Sequence, residues 1–254
     1  MSDEHNPMQR AREHARPKLP KRFYKDVSVE PADGGWTVAL DGRLLKTPGR
    51  QSLSVASKAI AAMIAAEWEA QAEEVDPSTM PVTRLVNTAI DGVAKVCAEV
   101  ARDIARYACS DLVCYRAEGP QGLVEKQAEA WDELVAWFAD RHAMRMRLSQ
   151  GIMPVEQDAE AAEALGEKLS GRSPLELAAL HTLTSLAGSA VIALAVAQAR
   201  LDAEAAWAAA HVDEDWQIAQ WGEDTEAMNR RAMRWREFNA AAGVLAALGA
   251  CGAG

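Results

Sequence analysis

The stretch HVDEDWQIAQWGED, residues 211 to 224, concentrates side chains that could do chemistry. It places the consecutive acids Asp213, Glu214 and Asp215 next to His211 and adds two tryptophans. Apart from Gly222 near its end, nothing in it breaks a helix. Four uses suit this composition: catalysis by paired carboxylates, metal binding, a solvated helix face, or a docking surface for another protein.

The spacing of the acids argues against catalysis and against a metal site. Consecutive residues of a helix point about 100° apart, whereas acid–base catalysis needs two carboxyl groups that converge on one bond. His211, Asp213 and Asp215 alternate in steps of two, which puts neighbours on opposite sides of a helix. The HExxH arrangement, with two ligands one turn apart, is missing. The sequence therefore predicts no enzyme and no metal.

The chain also lacks the motifs of cofactor sites. It contains no GxxxxGK[ST] or GxGxxG loop for nucleotides, no GxSxG nucleophile turn and no CxxC pair for zinc. The cysteines, Cys97, Cys109, Cys114 and Cys251, are few and irregularly spaced, which is typical of free thiols in a reducing compartment. No cofactor is predicted.

The tryptophans favour a docking surface. A helix over this stretch would bury Trp207, Val212 or Asp215, and Ile218, with Trp221 at the edge of that side, and would leave Trp216 partly exposed. An exposed aromatic ring with a polar rim has the composition of an interface hot spot. The predicted partner-binding residues are Glu214, Asp215, Trp216, Gln217, Gln220 and Trp221.

Composition limits the other functions. The 254 residues are 49% apolar and 25% charged, which suits a globular protein with a real core. A net charge of -10 argues against binding to nucleic acid, which requires clustered positive charge. The most apolar stretch, residues 185–199, is shorter than the roughly 20 residues of a membrane span and is predicted to be the buried central helix of a bundle. With no secretory signal at the N-terminus, we expect a cytoplasmic protein without membrane insertion.

The N-terminal third predicts a β-rich unit. Residues 1–20 suggest a flexible basic tail. Residues 23–55 suggest a β-meander, in which the pair Asp41-Gly42 between two apolar runs is a strong hairpin signal. A helix containing Ile60 and Trp68 follows, and residues 78–83 are predicted to add a strand.

Helical periodicity takes over from about residue 94. One helix carries Val124, Gln127, Trp131, Leu134, Val135 and Phe138 on one face and ends at Arg141 and His142. Ser173 and Pro174 suggest the start of another. The last helix, 225–248, is predicted to pack through Met228, Ala232, Trp235, Asn239, Ala242 and Leu245. The fold class is therefore α+β, a β-rich domain (21–92) followed by a larger helical domain (93–248) and a short tail (249–254).

The quoted acidic stretch resembles a signature of the assembly chaperone family that escorts the alpha subunit of the F-type ATP synthase catalytic head. Further stretches match in the same order, so the likeness runs from about residue 21 to about residue 247. They are KRFYKDVSV, VALDGRLLKTP, AAEWEAQ, PVTRLVNTAID and YACSDLVCYRAEGPQGLVEKQAEAWDELVAWF.

The resemblance implies a monomeric chaperone that binds the free alpha subunit and prevents its aggregation until it meets beta, with eukaryotic relatives in the mitochondrial matrix. The important glutamate of the family matches Glu214. Two alternatives stay open. Glu214 could instead pair with Arg230, Arg231 or Arg234 of the last helix, and the protein could be a structural scaffold that self-associates through the Trp- and Glu-rich helix.

Overall fold

An antiparallel meander opens the folded chain: β1 (Val27–Ala32), β2 (Gly35–Leu40) and β3 (Arg43–Leu44) lie in that order. Val27 faces Leu40 in the register. The turn between β2 and β3 is Asp41-Gly42, and both residues have positive φ, 48° and 74°. This is the backbone that a tight hairpin with right-handed strand twist requires, so the predicted meander and turn are confirmed.

The coordinates come from a computed structural model that describes residues 19–151 and 153–252, the last two without their side chains. The predicted basic tail lies outside this range except for residues 19 and 20, and residues 253 and 254 of the C-terminal tail also lie outside it.

Helices make up most of the remainder. They are α1 (Lys58–Glu69), α2 (Pro81–Asp91), α3 (Cys97–Ala108), α4 (Gln121–His142), α5 (Ala159–Ser170), α6 (Pro174–Ala187), α7 (Ala190–Ala197), α8 (Ala203–Ala210), α9 (Val212–Trp221) and α10 (Thr225–Gly252). Two short strands, β4 (Tyr115–Arg116) and β5 (Ser149–Gln150), pair in parallel. The α+β class, with a small sheet before a larger helical portion, is confirmed.

The strand predicted at residues 78–83 is wrong. Residues Pro77–Thr79 form a single 3₁₀ turn, capped by the Asp76 carboxylate, and Pro81 begins α2. The Glu67 carboxylate on α1 accepts the backbone N–H groups of Val82 and Thr83 at 2.7 and 2.8 Å. A carboxylate from a distant helix thus caps α2, which no local pattern reveals.

The middle of the apolar stretch 185–199, residues 189–195, is buried as predicted, but the stretch is not one helix. Gly188 adopts a left-handed conformation (φ 66°) and ends α6. The Ser189 hydroxyl then accepts the Ile192 N–H at 3.0 Å and starts α7, in which residues 190–195 are fully buried. A left-handed glycine followed by a serine cap is a sequence signal for two helices.

The last helix extends to Gly252, beyond the predicted end at residue 248. Its packing face holds Phe238, Ala242, Val244 and Leu245, whereas Ala232 and Asn239, predicted on that face, are exposed. The observed packing face of the helix is therefore rotated toward Phe238 relative to the predicted face.

One continuous cluster of buried apolar side chains joins the sheet to the helices, from Val38 and Ile64 to Leu180 and Phe238. It includes residues on both sides of Gly92, so the division into domains at that point stays a prediction. Among the described residues, every helix is too short or too polar to cross a lipid bilayer.

Asp111 ties two parts of this core together. Its buried carboxylate accepts the N–H of Val113 at 3.2 Å and the N–H of Val191, at the start of α7, at 3.0 Å. Burial raises the pKa of Asp111 to about 6. Burying the Asp111 carboxylate costs free energy, and the hydrogen bonds from these two N–H groups offset that cost.

We expect Asp111→Ala to lower the free energy of unfolding by about 2 to 6 kcal/mol, because two buried N–H donors lose their acceptor at about 1 to 3 kcal/mol each. Asp158→Ala is the matched control. Asp158 caps α5 in the same way but at an exposed site, where such a loss costs about 1 kcal/mol. Urea unfolding of both variants measures the difference, and equal losses would contradict the role given to Asp111.

Candidate functional site

The predicted acidic helix is α9, and none of its side chains is buried. It begins after His211, which ends α8, and it ends at Gly222 with φ 88°. Contacts with α4 lie along one margin, and contacts with α10 lie along the other. The helix is therefore held at its edges, and its outer face is open to a partner.

His211 fixes the entry to α9 from inside the protein. Its side chain is 5% exposed and stacks on the Trp207 ring, with 3.8 Å between the ring centroids. Nδ1 lies 2.8 Å from the Trp207 carbonyl oxygen, which can only accept, so Nδ1 carries the proton. Burial lowers the pKa of His211 below its ordinary value of 6.5. The imidazole is therefore neutral at pH 7.

An aromatic cluster anchors this junction. The Trp207 ring lies 5.4 Å from Trp235 and 5.3 Å from Phe238 on α10. On the other side, the indole N–H of Trp131 on α4 donates to the Ala209 carbonyl at 2.7 Å. Because α8 is fixed to both α4 and α10, α9 starts from a rigid point.

Arg231 holds α9 against α10. Its side chain is only 14% exposed, and Nη1 lies 2.5 Å from Asp215 Oδ1 and 3.9 Å from Glu214 Oε2. The close ion pair is thus with Asp215, which is engaged within the chain. Of the three arginines considered for Glu214, Arg231 is the neighbour, at a distance too long for a hydrogen bond. The Glu214 side chain is 38% exposed and keeps acceptor capacity for a partner.

Asp213 faces the opposite way, toward α4. The Gln127 amide donates to Asp213 Oδ1 at 2.7 Å and accepts the Ala117 N–H at 2.8 Å. Asp213 and Asp215 therefore diverge, as the helical spacing predicts. Across the described part of the chain, no group of three or more His, Cys, Asp or Glu side chains could hold a metal ion.

The structure agrees with the partial exposure predicted for Trp216 and corrects the prediction for Trp221. Trp216 is half-buried and lies against Gly122 of α4, where a Cβ would stand 2.8 Å from Trp216 Cη2. The ammonium of Lys126 lies 5.8 Å from the same ring. Trp221, expected at the buried edge, is 80% exposed. The glycine in the first turn of α4 leaves the space for Trp216, and it is the signal that pattern analysis missed.

The exposed surface at the end of α9 is both aromatic and acidic. Gln217 lies one helical turn before Trp221, and both are exposed, as is Gln220. The loop that follows and the first turn of α10 add exposed acids. We call this surface the acidic tip, formed by Gln217, Gln220, Trp221, Glu223, Asp224 and Glu226.

The chain is similar to known chaperones along most of its length. The model of the ATP12 chaperone protein family matches residues 21–139. The mitochondrial protein atp12 of Schizosaccharomyces pombe is 26% identical over 215 residues, which cover 80% of this chain and 74% of that protein.

Two crystal structures share the fold. Atp12 from Paracoccus denitrificans is 38% identical with a TM-score of 0.82, over 90% of this chain and 98% of that one. The Atu1473 protein of Agrobacterium tumefaciens is 47% identical with a TM-score of 0.85, over 97% of this chain and 92% of that one.

We expect Arg231→Ala to lower the free energy of unfolding by about 1 kcal/mol or more, because a mostly buried, charge-assisted contact between α9 and α10 is lost. The adjacent Arg230 pairs with Glu226 on the exposed side of α10, so Arg230→Ala should cost less than about 0.5 kcal/mol. Thermal unfolding of the pair tests this, and an equal effect would show that Arg231 does not fix α9.

His211 should make stability depend on pH. Because burial lowers its folded pKa, the unfolded chain takes up a proton near pH 6.5 that the folded chain does not, and stability falls as the pH drops below that value. In His211→Gln we expect a smaller loss between pH 7.5 and pH 5.5, measured by urea unfolding. Burial also lowers the pKa of His142, to about 4, but His142 adds the same pH dependence to the unmodified chain and to the variant. An unchanged slope would disprove the assignment.

Proposed function

This chain belongs to the ATP12 family of chaperones, which serve assembly of the ATP synthase head, and we propose that it binds the unassembled alpha subunit of that head. In this proposal α9 and the acidic tip cover a surface of the alpha subunit and prevent its aggregation until beta replaces the chaperone. The chain acts without a catalytic centre or a cofactor, as a monomer, where subunits are assembled. For a bacterial member that place is the cytoplasm, and for eukaryotic relatives it is the mitochondrial matrix.

The exposure of Trp221 carries the proposal. An indole that is 80% exposed at the end of a rigid helix is a large apolar surface that solubility disfavours unless a partner covers it. Tryptophans are also the residues most enriched among interface hot spots. An unassembled subunit of a hetero-oligomer exposes a large and partly apolar interface, which supplies the matching surface.

In this proposal Glu214 orients the bound alpha subunit. Its carboxylate lies beside Arg231 but makes no close ion pair there, so it can accept charge-assisted hydrogen bonds from an arginine or lysine of the alpha subunit. The neighbouring acids Glu223 and Asp224 favour the same basic partner through longer-range attraction.

The scaffold alternative fits this surface less well. A symmetric dimer through α9 would place the same surface of two copies face to face. The acidic tip would then meet its own like charges, which costs several kcal/mol in typical interfaces. Sedimentation at several concentrations separates the two functions, because a scaffold self-associates and a client-binding monomer does not.

We expect Trp221→Ser to weaken binding of the purified alpha subunit about 30-fold or more, since a hot-spot residue contributes at least about 2 kcal/mol. Glu214→Gln should weaken it to a similar extent, because a basic group of the client loses its partner. Leu148→Ser, which removes an exposed apolar side chain elsewhere, should bind like the unmodified protein. Titration calorimetry with alpha, and separately with beta, gives the affinities.

Melting temperatures distinguish the roles in that experiment. Weaker binding with an unchanged melting temperature places Trp221 and Glu214 in the interface. A sharp drop in the melting temperature of Glu214→Gln would instead assign this carboxylate to the internal network around Arg231. Full affinity in both variants would refute the proposed surface.

A further inference from the structure

We propose that a groove on the N-terminal sheet is a second contact surface for the alpha subunit and takes an apolar segment of that subunit that carries carboxylate side chains. This N-terminal groove has a volume of about 500 Å³, and its lining includes Phe23, Tyr24, Arg43, Leu44, Lys46 and Trp68. The inference rests on the proposed function, because it names a second surface for the same client.

Two apolar side chains in the groove are open to solvent. Phe23 is 71% exposed and Leu44 is 56% exposed. Their positions follow from the alternation of extended chain: Tyr24 is buried and Leu45 packs against the same cluster, so the residue before each of them faces outward. Exposed large apolar groups that meet in one concave site mark an interaction surface more strongly than scattered ones do.

Arg22 fixes the backbone that presents Phe23. Its guanidinium donates to the carbonyl oxygens of Tyr24 and Gln71 and lies over the Tyr24 ring at 4.6 Å. The Tyr24 hydroxyl in turn donates to the Trp68 carbonyl at 2.7 Å. Phe23 is therefore held outward before any partner arrives, which reduces the entropy that binding must overcome.

The groove is basic, in contrast to the protein as a whole, whose net charge is -10. Arg43 and Lys46 are exposed on its rim, and neither makes an ion pair with another described residue. Asp41 also lines the groove and stays ionised, because the N–H groups of Lys25 and Asp26 at 3.0 and 2.9 Å lower its pKa; the two cations still leave the lining with a net positive charge. Charge complementarity therefore selects an occupant with carboxylates.

One docked segment could therefore combine apolar contacts with Phe23 and Leu44 and polar contacts with Arg43 and Lys46.

The acidic tip of a second copy is an alternative occupant with the right charge. That contact would join two different surfaces of the chain, and such head-to-tail contacts form open filaments unless a ring closes. A chaperone that must stay available to its client gains nothing from such growth. We therefore assign the groove to the alpha subunit, and self-association becomes an outcome of the test.

The experiment measures the affinity of the full-length chain for the purified alpha subunit. One variant combines Phe23→Ser with Leu44→Ser, and Met153→Ser, at a side chain of similar exposure (69%), is its control. The other combines Arg43→Glu with Lys46→Glu. Its control, Arg145→Glu with Lys168→Glu, makes the same change in net charge at exposed positions of the helical part.

We expect both groove variants to bind alpha at least about 10-fold more weakly than their controls, which corresponds to about 1.4 kcal/mol of binding free energy. Their melting temperatures should match those of the controls. The charge variant uses exposed positions, so it remains informative if the apolar variant folds poorly. If the unmodified chain binds alpha and groove variants match their controls, the inference is overturned while the proposed function survives.

Two further outcomes separate the causes of failure. If the unmodified chain does not bind alpha at all, the proposed function fails and this inference fails with it. If the unmodified chain self-associates with rising concentration and the groove variants do not, the occupant is a second copy, which overturns the assignment to alpha.

Discussion

The position of α9 depends on contacts at its two margins, since none of its side chains is fully buried. Gln127 reaches Asp213 from α4, and Arg231 reaches Asp215 from α10. These two contacts use the flanking acids of the DED triplet and leave Glu214 between them. Apolar anchoring comes from Trp216, which lies against Gly122 of α4, and from the start of the helix, where Trp207 packs on His211 and on Phe238 of α10. A helix held in this way keeps its outer face open, so Trp221 can be exposed without loosening the core.

The two surfaces of the molecule differ in charge and share one physical design. Each presents an aromatic ring from a backbone that is fixed by other residues, Trp221 at the end of α9 and Phe23 beside Arg22. The acidic tip suits a basic region of a partner, and the N-terminal groove suits an acidic one. A client that spans both would be held in a single orientation, and reversible polar contacts would let a second subunit displace the chaperone. The family assignment and the two proposed surfaces thus describe one mode of action.

Local signals in the sequence are sufficient to predict the meander, most helices and the helical form of the acidic stretch. The Asp41-Gly42 turn and the Ser173 capping box are determined by a few adjacent residues. Failures arose where a distant residue decides the outcome. Glu67 caps α2 and removes the expected strand at residues 78–83. Gly122 accommodates Trp216 and leaves Trp221 as the exposed ring. Periodicity specifies which face of a helix is apolar, but it does not specify which neighbour has room for it.

Hydrogen–deuterium exchange of the chain with and without the purified alpha subunit tests the central claim most directly, because it locates the contact without changing a residue. If α9 and the acidic tip bind alpha, the backbone amides of residues 212–226 should exchange more slowly in the complex. They should be unaffected by an equal concentration of beta. If alpha slows exchange elsewhere in the chain but leaves the amides of residues 212–226 unchanged, the account is contradicted and the client binds another surface.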